Sequence, residues 1–397
     1  RHFMTSLSQL LLTLALAFLL VGCAGDSAED HLASAKEYFA AGDQRAAVLE
    51  LKSALQKDQN LAEARWLLGS IHLDRGDAES AEKELQRAMW LDWDPEKTLP
   101  AYAIALAATG NYTDVLALST EGLTAESQAS ILTSQALAKI ALGENQDAND
   151  LLDQALTLTP RDPRAQLARA ELQVHMGDLE TADAAIDNVL ELQPESIAAW
   201  SAKAELKGMT ADRDAAADAY DKVLELDPHN LAALRARALL GLDEGDLDIA
   251  RKNASRLLRA APKDPVANLV MGVIDIQEQR YQQAIKRLTL AEPIGKEYPM
   301  LAYFLGSAHL SNGNLEQASA HATRFYALAP GSIRGRKLLA SIRLRDEDYA
   351  AVEELLRPVI TERPDEVITL KFMAHALVRQ GKTDEGIALL TRIAELE

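Results

Sequence analysis

Apolar positions along this chain follow a helical rhythm, and the rhythm itself recurs. Around residues such as Leu68, Leu85 and Leu152, large apolar side chains fall at the three- and four-residue spacing of one helix face. The polar breaks between such segments carry Gly42, Gly76, Gly110, Gly143, Gly177, Gly245, Gly313 and Gly381, separated by 34, 34, 33, 34, 68, 68 and 68 residues. Units started at residues 28, 62, 96, 129, 163, 197, 231, 265, 299, 333 and 367 divide the chain into eleven. A unit of this size cannot bury its apolar face alone and must pack on its neighbours.

The small residues sit where two helices would cross. The eighth place holds Ala35, Gly69, Ala103, Ala136, Ala170, Ala204, Ala238, Gly272, Gly306, Ala340 and Ala374. The twentieth holds Ala47, Ala81, Val115, Ala148, Ala182, Ala216, Ala250, Ala284, Ala318, Val352 and Gly386. Close helix crossings need such residues, because bulk holds the axes about 10 Å apart or more. Glycine at the fifteenth place of eight units ends a first helix cheaply, and Asp, Asn or Glu follows most of them. Pro160, Pro194, Pro228, Pro262, Pro330 and Pro364 at the thirty-second place stop the second helix. Each unit therefore reads helix, short turn, helix, short turn.

The phase weakens in three places. Val115, Ser119 and Gly122 predict a short or irregular second helix in unit three. Pro358 predicts a kink in unit ten, and Pro293 with Gly295 predicts a loosened end to unit eight. Trp66, at the fifth place, is expected to face a groove. Trp200, at the fourth, is expected in the core, and Trp93 over the apolar end of a hairpin.

With Ala54, Ala88, Ala155 and Ala291 at the twenty-seventh place, the pattern resembles the tetratricopeptide repeat over residues 28–397. The resemblance implies an all-α fold, a right-handed α-α superhelix of about eleven helix-turn-helix repeats. It also implies a partner-binding concave face formed by the second, fifth, ninth and twelfth places of the first helices. Carried onto this chain, those places give an apolar stretch at Arg235, Leu239, Leu242, Leu269, Val273, Ile276, Tyr303 and Leu310. A basic stretch follows at Arg334, Lys337, Lys371 and His375, with Leu344 between. Such a groove would suit an acidic-hydrophobic peptide, or an anionic polysaccharide at its basic end.

Residues Leu10 to Val21 form an apolar run too short to span a bilayer, which takes about 20 residues. It has the length of a signal-peptide core and ends at Leu20-Val21-Gly22-Cys23, beside the chain's one cysteine. The string resembles a bacterial lipobox, which implies cleavage before Cys23 and its acylation. The expected organisation is a signal peptide over 1–22, a lipidated Cys23 with a short tether over 23–29, and a solenoid over 30–397. The tether would reach roughly 20 Å at most. The opening Arg1-His2-Phe3-Met4 suggests a reading frame that starts slightly earlier, with Arg1 in a positive n-region. Ala24 after the cysteine favours the outer membrane facing the periplasm of a Gram-negative envelope. At the other end Leu389, Leu390, Ile393 and Leu396 make an apolar stripe, which suggests further chain or a docked partner.

Composition narrows the function. A charge of −19 argues against nucleic acid, whose phosphates need Lys and Arg. Apolar residues make up 48% of the chain but aromatics only 5%, as in stacked helices with small-large interfaces. The eight histidines, His309 and His321 among them, show no metal-ligand spacing, and there is no HExxH, Gly-x-Ser-x-Gly or glycine-rich phosphate loop. No enzyme, cofactor or metal is expected.

Residues 31–100, with the lipobox and its short spacing to the first repeat, resemble the opening of the TPR lipoproteins of the PEP-CTERM/exosortase system, PrsT type. That resemblance implies a membrane-anchored scaffold for protein partners in an envelope system associated with exopolysaccharide. An exopolysaccharide-export lipoprotein touching the polymer or its porin is a second reading, and a pilus-assembly pilotin a third.

Overall fold

A computed structural model describes residues 27–397. Cys23, the apolar run before it and most of the tether lie outside the described residues. The described residues form 22 α-helices, one 3-10 turn and no strand. They divide into two compact units, up to Ala202 and from Lys203.

The first unit pairs α1 (Ala28–Ala40) with α2 (Gln44–Lys57), α3 (Ala62–Asp74) with α4 (Ala78–Trp90), and α5 (Pro95–Thr109) with α6 (Tyr112–Leu116). It continues with α7 (Ala125–Ala141) and α8 (Asn145–Leu158), then α9 (Pro163–His175) and α10 (Leu179–Leu192). The division falls inside α11 (Ile197–Met209). The second unit holds α12 (Arg213–Leu226), then α13 (Leu231–Glu244) with α14 (Leu247–Ala260) and α15 (Pro265–Gln277) with α16 (Tyr281–Leu290). After these come α17 (Met300–Ser311) with α18 (Leu315–Leu328), α19 (Ile333–Arg345) with α20 (Tyr349–Glu362), and α21 (Val367–Arg379) with α22 (Thr383–Leu396). In each unit successive hairpins stack, consistent with the expected α-α superhelix of many repeats.

The acids after the turn glycines start the second helices. Asp43, Asp77, Asp178 and Asp246 accept the backbone N–H of Ala46, Ser80, Thr181 and Ile249, donors that otherwise lack a partner at a helix start. At the other end of the chain of hairpins, Ser27 and Asp30 form a reciprocal capping box, so helix begins at Ala28 and takes in the last two tether residues.

The fifteenth-place glycines adopt φ between 75° and 84°. The three units without glycine there keep the same left-handed turn, on Ala211 (φ 59°), Gln279 (φ 60°) and Glu347 (φ 58°). A side chain in that region costs about 1 kcal/mol or more. Ala211→Gly, Gln279→Gly and Glu347→Gly are therefore each expected to stabilise the protein by about 0.5–1 kcal/mol, less what glycine adds to unfolded-chain entropy. Urea midpoints check this; a lower midpoint for all three would contradict the strain.

The eighth and twentieth places carry the core. Ala35, Ala103, Ala136, Ala47, Ala81 and Ala148 are fully buried, and Val115 and Val352 are too. Irregularities fall where the phase weakens. α6 has five residues, and the buried Gln135 amide donates to the Val115 and Leu118 carbonyls (3.1 and 3.0 Å), capping its open end. α16 stops at Leu290 and a 3-10 turn, Glu292–Ile294, follows. Pro100 inside α5 removes the donor for the Glu96 carbonyl, and Ser127 Oγ donates to that carbonyl instead at 3.0 Å. α20 runs on through Pro358, and Arg336 Nη1 donates to Leu355 O in that stretch at 3.3 Å.

Candidate partner-binding face

The apolar stretch expected to line a groove is largely interior. Leu269 is fully buried and Val273 nearly so, in a core with Leu288, Leu301 and Leu305. Leu239, Leu242 and Ile276 are half-buried against that core. Tyr303, Leu310 and Leu344 are half-buried against the next one, around Leu338, Leu339 and Leu356. The reason is lateral: first helices such as α13 and α15, or α17 and α19, touch each other as well as their own partners. A middle hairpin thus has its inner face covered from both sides.

Trp66 packs half-buried between the cores on either side of it, with the Lys97 ammonium 5.5 Å from its ring centre. It fills a seam and is not an open platform. Trp200 is half-buried in the first turn of α11, not in the core; its indole N–H donates back to Pro194 O at 2.8 Å. Trp93 is half-buried just past α4.

Two of the basic residues join consecutive hairpins. Arg235 Nε lies 2.7 Å from Asp264, which caps α15, and Lys337 pairs with Glu366, which caps α21. Each reaches from the fifth place of its unit to the last residue of that unit. Burial pushes the Glu366 carboxyl up, but hydrogen bonds from Lys337 and Thr369 outweigh it and hold it below the ordinary value. A second ladder went unread in the sequence. Arg169 pairs with Asp153 at 2.6 Å, and the buried Arg237 with Asp221 at 3.1 Å, each 16 residues apart. That fixed separation is the signal that could have revealed it. Further along, Lys382 at 2.6 Å and Arg357 hold the Glu353 carboxyl down at about 2.

What remains open is one face of α21 together with Arg334 and Arg345 at the two ends of α19. These helices carry Arg334, Arg336, Lys337, Arg343, Arg345, Lys371 and Arg379 and no carboxylate. The acids of the same region lie off these two helices, and some answer the cations: Asp346 is 3.5 Å from Arg343, Glu347 is 4.0 Å from Arg379, and Glu366 holds Lys337. On one face of α21, at helical spacing, lie Ile368 (53% exposed), Lys371, His375 and Val378 (41% exposed). Lys371 has only the exposed Glu397 at 2.5 Å. Arg334 is exposed on α19, and the Arg379 guanidinium lies 5.2 Å from the Tyr349 ring centre, itself 6.0 Å from the His375 ring. The wider charge distribution favours this end. Residues 1–202 carry 14 Lys and Arg against 31 Asp and Glu, a net −17, while 203–397 carry 27 against 29, a net −2.

The C-terminal stripe is divided. Ile393 is buried and Leu389 half-buried, whereas Leu390 and Leu396 are exposed. Among the described residues no group of three or more His, Cys, Asp or Glu could hold a metal, and no helix is long and apolar enough to cross a membrane.

A family model described as "Tetratricopeptide repeat" matches residues 32–89 and 210–265, and a second of that description matches 139–206. These segments are tetratricopeptide repeats. The first segment spans the hairpins α1–α2 and α3–α4, whereas 139–206 runs from the end of α7 into α11 and 210–265 covers α12 to α14. Among solved structures the repeat protein is similar to the APC/C hetero-tetramer Cut9-Hcn1, with TM-score 0.51 and 14% identity, over 90% of this chain and 78% of that one. It is also similar to pilF of Pseudomonas aeruginosa, with TM-score 0.50 and 16% identity, over 55% of this chain and 99% of that one. Likeness at this identity shows the fold alone. No curated protein matches it. The family matches support a protein-interaction scaffold.

Proposed function

We propose that this protein is a lipid-anchored scaffold of the bacterial envelope that captures an acidic, aliphatic segment of a protein partner on the α19–α21 face. The observation that carries the reading is the segregation of charge: two acid-free, cation-rich helices, with exposed Ile368 and Val378, inside a chain of net charge −19. Local cations in an acidic protein steer an acidic partner to one place and repel it elsewhere. The lipobox at Leu20–Cys23 and the resemblance of residues 31–100 support anchoring at the outer membrane, in a PEP-CTERM/exosortase and exopolysaccharide-associated system.

Arg334→Glu combined with Lys371→Glu reverses charge at two exposed positions. The double variant is expected to recover about tenfold less partner from envelope membranes at low salt, with unchanged helicity by circular dichroism. Equal recovery by variant and wild type would remove this face from the function. Labelled palmitate incorporated by the wild type and not by Cys23→Ser tests the anchor separately.

A further inference from the structure

His309 on α17 and His321 on α18 lie face to face across one hairpin. Their ring centres are 5.5 Å apart and their planes differ by 7°. Asn314 Nδ2 lies 3.2 Å from His309 Nδ1. With the amide nitrogen donating as it is placed, that ring nitrogen accepts, which is the arrangement of a neutral ring carrying its hydrogen on Nε2. Protonating His309 turns Nδ1 into a donor and forces the amide to turn over. Protonating both rings places two cations in a half-buried stack.

Packing at this level has no slack. A Cβ added at Gly306, three residues before His309, would stand 3.2 Å from the Ala322 nitrogen, next to His321, and 3.2 Å from Leu338 Cδ2 on α19. The level at which the rings meet is therefore also the level at which α17, α18 and α19 are pressed together. The charged groups around the stack are Glu292 from the 3-10 turn, Arg324 from α18, and Arg345 from α19, which donates to Leu310 O at 3.2 Å. Glu292 favours a proton on His321; Arg324 opposes it.

We propose that the His309–His321 stack is a pH-sensitive latch, holding α17 and α18 closed against α19 when neutral and letting them part when both rings are protonated. Burial lowers both rings from their ordinary value, and at His309 the facing ring adds to it. A base lowered in the folded state gives stability that is complete above the unfolded value, near 6.5. That stability is lost as pH falls below it and through the lowered values of the folded rings. Acidification thus loosens the support of α19 and of the cations on it.

Hydrogen–deuterium exchange on the full chain, without any partner, tests the latch independently of the binding reading. Between pH 7.5 and 5.5, corrected for intrinsic exchange, residues 300–328 are expected to lose protection about threefold or more, and residues 145–158 to change little. His309→Gln with His321→Gln should abolish that difference. Should the double variant fail to fold, the imidazole C–H resonances of the wild type replace it. Both rings titrating at their ordinary value, or the same loss of protection in the variant, would overturn the latch.

Discussion

Gly69→Ala is expected to destabilise the protein, although alanine is the better helix former. A Cβ at Gly69 would stand 2.6 Å from Leu85 Cγ, 3.0 Å from its Cδ2 and 3.2 Å from its backbone nitrogen. Leu85 is fully buried, so its side chain has nowhere to turn, and its nitrogen moves only if α4 moves. Overpacking of this kind costs about 1–3 kcal/mol, which exceeds the roughly 1 kcal/mol that alanine gains over glycine in helix propensity. Gly272→Ala should behave alike, since its Cβ would meet Leu288 Cγ at 2.7 Å and Cδ2 at 2.8 Å. Gly69→Leu should disrupt the α3–α4 crossing altogether. The control is Gly208→Ala on the exposed side of α11, where an added Cβ meets nothing within 4 Å. There only propensity acts, and a gain of up to about 1 kcal/mol is expected. Urea unfolding compares the three alanine variants. A loss at Gly208 equal to that at Gly69 would show that close approach is not what the eighth place demands.

The parts of this protein that were legible in its sequence are those set by contact within a hairpin. Ala35, Gly69 and Ala136 mark crossings because a crossing is a local steric condition, repeated every 34 residues. The five-residue α6 and the 3-10 turn after α16 were visible for the same reason, as places where the condition lapses. The groove was less legible. Leu269 and Ile368 stand on corresponding faces of α15 and α21, yet one is fully buried and the other 53% exposed. Their exposure depends on what lies beside them, and no period within one unit encodes that. Arg235 and Lys337 show the same limit. A cation at a groove place is indistinguishable in sequence from one that reaches the next hairpin's capping acid, unless the pair is read together. The left-handed Ala211, Gln279 and Glu347 were hidden differently. Absence of glycine says nothing about whether the backbone keeps the turn.

The other large effect concerns a charge that the period does not mark. Asp275, near the end of α15, is 1% exposed, and two arginines meet it from the following turn and helix. Arg280 Nε donates to its Oδ1 at 2.8 Å. Arg287 Nε lies 3.0 Å from its Oδ2 in an ion pair without hydrogen-bond alignment. The arginines keep partial contact with water, but the carboxylate does not, so the stability risk is asymmetric. Arg280→Met with Arg287→Met strands a buried carboxylate, and a loss of about 3–5 kcal/mol is expected. Arg280→Met alone should cost much less, because Arg287 remains. Adding Asp275→Leu to the double variant removes the stranded charge and should restore most of the loss, since buried ion pairs exchange for apolar groups at little net cost. Urea unfolding of the single, double and triple variants separates the cases. A triple variant no more stable than the double would mean that the arginines act through packing of their stems and not through the carboxylate. The charge itself would then be incidental to how α15, α16 and α17 hold together.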